Sequence, residues 1–143
     1  MTILVSACLL GTNCKYNGGN NRSERVLRYV DGHEVITVCP EVLGGLPCPR
    51  KPVEWVGDRV LTRDGDDCTA AFRLGVQRAL EAIGDRHVDL AILQSRSPTC
   101  GVKQIYDGTF TGTRIDGMGA LARALQARGI PLMDAEDVPE QGD

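Results

Sequence analysis

Three cysteines stand where apolar runs of this chain end. Ile3-Leu4-Val5-Ser6-Ala7 runs into Cys8 and Val35-Ile36-Thr37-Val38 into Cys39. Leu90-Ala91-Ile92-Leu93-Gln94 leads through Ser95-Arg96-Ser97-Pro98-Thr99 to Cys100. The first two runs are rich in β-branched residues, which suit buried strands. Pro40 cannot donate to a strand ladder, so regular pairing is expected to stop at Cys39, with Glu41 in the loop that follows. In an open α/β sheet the carboxyl ends of parallel strands converge on one crevice, where ligands bind. Three thiolates at one crevice repel each other unless a metal neutralises them. This spacing therefore favours metal or cluster binding over three unrelated core thiols. A soft, all-thiolate set suits zinc or an iron–sulfur cluster. Three ligands instead of four leave one coordination position free for a substrate.

The bland reading of each thiol is a buried core residue. It is strongest for Cys68, at a helix start among acids, and for Cys48, between Pro47 and Pro49. No pair of the six cysteines has C-x-x-C spacing, so any metal site is assembled from distant segments. His33 and His87 precede strands and belong at the opposite end of the sheet, which makes them poor ligands. Glu41 follows Cys39 by two positions and Ser97 precedes Cys100 by three, so neither lies far from such a site. Loop carboxylates and turn-capping hydroxyls are common. Beside a partly desolvated crevice, however, a carboxylate is suited to acid or base work. The glycine-rich loop 11–19 lacks a P-loop or dinucleotide pattern and is weak evidence for an anion cradle.

The elements that must position these groups follow from patterning. A chain of 143 residues, 42% hydrophobic and 24% charged, fits a single domain of ordinary size over 1–143. Its net charge of −3 offers no basic field for nucleic acid, and two Phe and one Trp offer few stacking platforms. No apolar run is long enough to cross a membrane. Val5-Ser6-Ala7-Cys8 resembles a lipoprotein cleavage site, but no basic region or apolar core precedes it, so the expected location is cytoplasmic. Disulfides are rare in that compartment, which again points the cysteines toward metal or redox chemistry.

A helix is expected from a capping box of Asn21 and Glu24, ending at Asp31-Gly32, before the strand Glu34 to Cys39. Val53–Val56 and Arg59–Thr62 flank Gly57-Asp58, a hairpin signal. The acidic turn 64–67 is suited to capping a helix over about 68–83, with Phe72, Val76, Ala79, Leu80 and Ile83 on one face. A strand follows from Val88 to Leu93, then a second hairpin around Asp107-Gly108 and a loop over 112–119. A helix over about 117–128 and a short edge strand, Ile130–Met133, close the pattern, with an acidic tail from about 136 expected to fray. Strands alternating with helices imply an α/β fold: a mostly parallel sheet of four to five strands, covered by helices, with a short β-hairpin insertion at 53–62.

Five blocks then carry a family resemblance. Ser6-Ala7-Cys8-Leu9-Leu10-Gly11, Cys39-Pro40-Glu41 with Gly44-Gly45-Leu46, Pro49-Arg50, Ser97-Pro98-Thr99-Cys100-Gly101 and Tyr106-Asp107-Gly108-Thr109-Phe110 resemble the thiouracil desulfidase family, in order, over about residues 3–133. The resemblance implies a Rossmann-like domain with helices on both faces. It also implies a 4Fe–4S cluster held by Cys8, Cys39 and Cys100, with one iron open, and catalytic roles for Glu41 and Ser97. Cys14 sits where members often carry a cysteine, whereas Cys48 and Cys68 match no block. The implied reaction is non-redox hydrolysis of a small thiolated pyrimidine such as thiouracil, giving the oxo compound and hydrosulfide. Glu41 would move the proton and Ser97 would hydrogen-bond the substrate, with Tyr16 and Arg50 positioned to help orient the ring. Two other readings stand beside this one. One is a structural or redox-sensing metal or cluster protein; the other is a persulfide transferase, which favours a mobile, exposed cysteine such as Cys14.

Overall fold

The computed structural model describes residues 1–139. From the amino terminus the chain forms β1 (Thr2–Ser6), a 3-10 turn (Ala7–Leu10), α1 (Glu24–Val30), β2 (Glu34–Val38) and α2 (Pro40–Leu43). Next come β3 (Val53–Val56), β4 (Arg59–Thr62), α3 (Thr69–Ile83) and β5 (Leu90–Leu93). The last elements are β6 (Gln104–Tyr106), β7 (Arg114–Asp116), α4 (Ala120–Ala127), β8 (Leu132–Asp134) and a 3-10 turn (Ala135–Asp137).

Four strands pair in parallel in the order β2-β1-β5-β8. Ile3, Leu4, Val5, Ala91, Ile92 and Leu93 are fully buried, because β1 and β5 are inner strands covered on both faces. On one face Leu4, Ile36, Val38 and Leu93 pack against Ala79 and Ile83 of α3 and Leu121 and Leu125 of α4. On the other, Ile3, Val5 and Ile92 meet Val26 and Val30 of α1 together with Val138. Helices on both faces of a parallel sheet make the Rossmann-like arrangement the sequence predicts, with β8 at an edge. The inserted hairpin β3–β4 forms as expected around Gly57-Asp58 and covers Phe72 with Val53 and Val60. No helix among the described residues is long and apolar enough to cross a membrane.

The segment after Cys39 departs from expectation. Instead of a loop it is the short helix α2, with Pro40 in its first turn, where a missing N–H costs nothing and the fixed φ is pre-set for helix. Helix α2 crosses α3 backbone to backbone. A Cβ built at Gly75 would lie 1.9 Å from the Pro40 carbonyl oxygen, and one at Gly44 would lie 2.0 Å from that of Ala71. Only glycine on both helices permits this approach. Arg78 Nη1 then donates to the Leu43 carbonyl at 2.7 Å, satisfying the end of α2.

Three smaller differences have local causes. Ser23, not Asn21, caps α1, accepting from the Val26 N–H at 3.2 Å, while Glu24 pairs with Arg22. The second hairpin is wider than Asp107-Gly108 suggests: β6 pairs with β7, which lies inside the expected 112–119 loop. Asp107 is occupied locally by Thr109, and the Gly108 N–H donates to Glu54 at 2.9 Å. The chain does not fray at Glu136, because Val138 is 2% exposed beneath α1 and β1; residues 140–143 lie outside the described structure.

Gly75→Ala should cost at least the roughly 1–3 kcal/mol typical of overpacking, read as a lower thermal midpoint. Leu74→Ala, at an exposed neighbouring position, should stay within about 0.5 kcal/mol of the parent. Equal melting of Gly75→Ala and the parent would contradict the close crossing of α2 on α3.

Candidate active site

The carboxyl ends of β1, β2 and β5 open into a cavity of about 740 Å³. The turn after β1 brings Cys8 to its wall, the first position before α2 brings Cys39, and the turn Ser97–Cys100 after β5 brings Cys100. The three cysteines singled out by strand ends therefore line one space, together with Glu41 and Ser97. Cys14 joins them as a fourth thiol. It is only 6% exposed, and its carbonyl lies 3.8 Å from Cys39 Sγ. Cys48 and Cys68 are not on the lining. Cys48 is exposed and donates to the Asn13 and Lys15 carbonyls at 3.1 and 3.2 Å, and Cys68 stands at the start of α3. Both histidines lie at the far edge of the sheet as expected, His33 beside the amino terminus and His87 beside Asp89, which holds Thr2.

The cavity disfavours bare thiolates. Burial pushes the Cys8 thiol up; the Asn21 side-chain amide, which donates to its sulfur at 3.6 Å, opposes that, and nearby Cys39 adds to it. Burial pushes Cys100 up further, against the Ser6 hydroxyl beside it, with Cys8 and Glu41 also raising it. Burial, and then Cys39, push Cys14 up to about 12. The soft donor chemistry of these thiols fits an iron–sulfur cluster. Among the described residues no three His, Cys, Asp or Glu side chains gather around one point as ligands of a single ion. A cluster would be held by cysteines from separate segments and would not require that arrangement.

Glu41 is held at both oxygens. Oε1 accepts from Arg50 Nε at 3.0 Å and Oε2 from Thr99 Oγ1 at 2.9 Å. The Arg50 and Glu41 side chains are 8% and 15% exposed. The rest of the guanidinium donates to the Cys14 carbonyl at 2.9 Å and the Pro47 carbonyl at 3.3 Å. Arg50, expected only as an aid to ring orientation, is thus bound to the carboxylate. Thr99 was missed, although it lies inside the Ser97-Pro98-Thr99-Cys100-Gly101 block. Ser97 Oγ accepts from the Thr99 and Cys100 N–H groups at 3.1 and 3.0 Å, capping the turn that presents Cys100. Its O–H has no acceptor among the described residues and remains available to donate.

The walls are fastened from outside. Trp55 Nε1 donates to the Pro98 carbonyl at 2.8 Å, tying the hairpin to the Ser97 turn. Glu54 accepts from the Gly108 and Phe110 N–H groups at 2.9 and 3.3 Å, which sets the 107–113 loop against β3. Tyr16, Tyr106 and Phe110 complete an aromatic part of the lining.

These thiol environments predict an order of reactivity in cluster-free protein. Near neutral pH, exposed Cys48 should be alkylated first, with Cys8, Cys14 and Cys100 slow because little thiolate is present. The sign follows from the raised values: reaction at Cys14 should accelerate only as pH climbs from the usual 9.0 toward about 12. Site-resolved mass spectrometry reads this, and Cys100 reacting as fast as Cys48 near neutral pH would contradict it.

Known proteins resemble this chain over nearly its whole length. The profile of the 2-thiouracil desulfurase family matches residues 3–137. The uncharacterized protein YbbK of Bacillus subtilis (strain 168) is 34% identical over 146 residues, covering 95% of this chain and 97% of its own. The solved structure of the 4Fe–4S-dependent thiouracil desulfidase TudS superposes with a TM-score of 0.89 at 37% identity, covering 98% of this chain and 94% of that one. The match spans nearly the whole chain in both sequence and fold, and the protein belongs to the 2-thiouracil desulfurase family.

Proposed function

We propose that this protein is an iron–sulfur-dependent desulfidase that hydrolyses the carbon–sulfur bond of a small thiolated pyrimidine such as thiouracil. In this reading Cys8, Cys39 and Cys100 hold a 4Fe–4S cluster, leaving one iron without a cysteine, and Glu41 and Ser97 act on the substrate. The observation that supports it most is that these five residues line one cavity in a chain of the desulfurase family. A three-thiol cluster site also fits a reducing compartment such as the cytoplasm.

When bound, the cluster supplies a soft Lewis acid suited to an exocyclic sulfur. The chain's own groups do the rest. Each Glu41 oxygen has committed one lone pair, to Arg50 or to Thr99, and retains another to accept a proton. Glu41 takes a proton from the attacking water and returns it to the departing sulfur, so that thione and water become the oxo compound and hydrosulfide with no change in oxidation state. The free Ser97 O–H donates to an acceptor on the ring. Tyr16, Tyr106 and Phe110 give the ring apolar walls that limit competing water.

Anaerobic reconstitution followed by iron and sulfide analysis tests the ligands. Cys8→Ser, Cys39→Ser and Cys100→Ser should each lose the cluster, and Cys14→Ser should keep it. Loss in Cys14→Ser with retention in Cys100→Ser would show that another trio holds it. Glu41→Gln preserves size and hydrogen bonding but cannot carry a proton. It should keep the cluster and lose about 10²–10⁴-fold in turnover. A cluster-loaded Glu41→Gln protein that releases hydrosulfide at the parent rate would overturn the catalytic assignment.

A further inference from the structure

Resting on that reading of Glu41, we propose that Thr99 and Arg50 are positioning residues that fix the Glu41 carboxylate from two sides of the cavity. Both are anchored independently of the contact they make with it. Thr99 is 1% exposed, and its N–H is taken by Ser97 Oγ. Its carbonyl accepts from the Leu121 N–H at 2.8 Å, at the start of α4. The backbone of Gly119 presses so closely that a Cβ there would lie 2.4 Å from the Thr99 oxygen. A β-branched side chain on so constrained a backbone has little rotamer freedom, and its hydroxyl reaches across to Glu41 Oε2.

Arg50 is anchored from the opposite side. Its own N–H donates to the Tyr16 carbonyl at 2.6 Å, and two branches of the guanidinium are spent on Cys14 and Pro47 carbonyls before Nε meets Glu41 Oε1. The carboxylate is thus suspended between two rigid donors carried by different segments, the Ser97–Cys100 turn and the 46–52 loop. The threonine hydroxyl defines the orientation of the carboxylate about its own axis, which one charged partner alone leaves free. For a group that must meet both water and a leaving sulfur, that orientation decides the rate.

Thr99→Val removes the hydroxyl while nearly keeping the shape, so it separates orientation from packing. In cluster-loaded enzyme kcat should fall by up to about 10²-fold with KM far less affected, and Thr99→Ser should recover most of the loss. In a Glu41→Gln background, Thr99→Val should cost nothing further. In cluster-free protein the carboxylate stretch of Glu41, isolated as the infrared difference between parent and Glu41→Gln, should shift in Thr99→Val while the thermal midpoint stays close to the parent. Arg50→Lys keeps the charge but loses the fork, and should likewise lower kcat more than it raises KM. An unchanged kcat in Thr99→Val, or an equal loss with and without Glu41, would overturn the positioning role. Parent-level turnover in Glu41→Gln alone would instead refute the catalytic reading of Glu41, so the two failures are distinguishable.

Discussion

The site depends on one buried ion pair, Arg50 with Glu41 at 3.0 Å. Removing two charges from water is costly, and such a pair is tolerated only when its remaining donors and acceptors are satisfied. Here the Cys14 and Pro47 carbonyls and the Thr99 hydroxyl satisfy them. One guanidinium therefore joins the loop carrying Cys14, the loop after α2, and α2 itself, and the carboxylate extends the chain to the turn carrying Cys100. Removing the Arg50 guanidinium would leave the Glu41 carboxylate without its charged partner, a change that for a buried pair typically costs about 3–5 kcal/mol. Stability and chemistry thus share the same atoms at this end of the sheet.

Packing delivers those atoms with little freedom. The paired glycines of α2 and α3 lock the helix that starts at Cys39 and carries Glu41. Gly119 does the same for the turn before Cys100. The result is a cavity whose thiols are held in place, with Cys8, Cys14 and Cys100 pushed toward the protonated form by burial. This is unlike the mobile, exposed thiol a persulfide carrier needs: Cys14, the residue best suited to that role by sequence, is buried behind Arg50 and Cys39.

What could be read in the sequence was what depends on short-range pattern. Strand ends placed Cys8, Cys39 and Cys100, and the Gly57-Asp58 hairpin and the helix through Phe72 and Ile83 follow from local periodicity. The misses are places where one residue serves two conformations or where a distant partner decides. Pro40 can end a strand or begin a helix, and only the approach of Gly75 selects the helix. Gly108 signals a tight turn, yet Glu54 captures its N–H and widens the loop. Val138 sits in an acidic tail, and only α1 and β1 reveal it as core. Arg50, Glu41 and Thr99 were each visible within a block, but their contact is tertiary and has no local signature.

The central claim is that three cysteines hold a cluster whose remaining iron is left for the substrate's sulfur. A Mössbauer spectrum of iron-labelled, anaerobically loaded protein, recorded with and without thiouracil, tests it most directly. The account predicts that one iron of the cluster differs from the others and that only this iron changes when thiouracil is added. A spectrum in which all irons are equivalent and indifferent to thiouracil would contradict it.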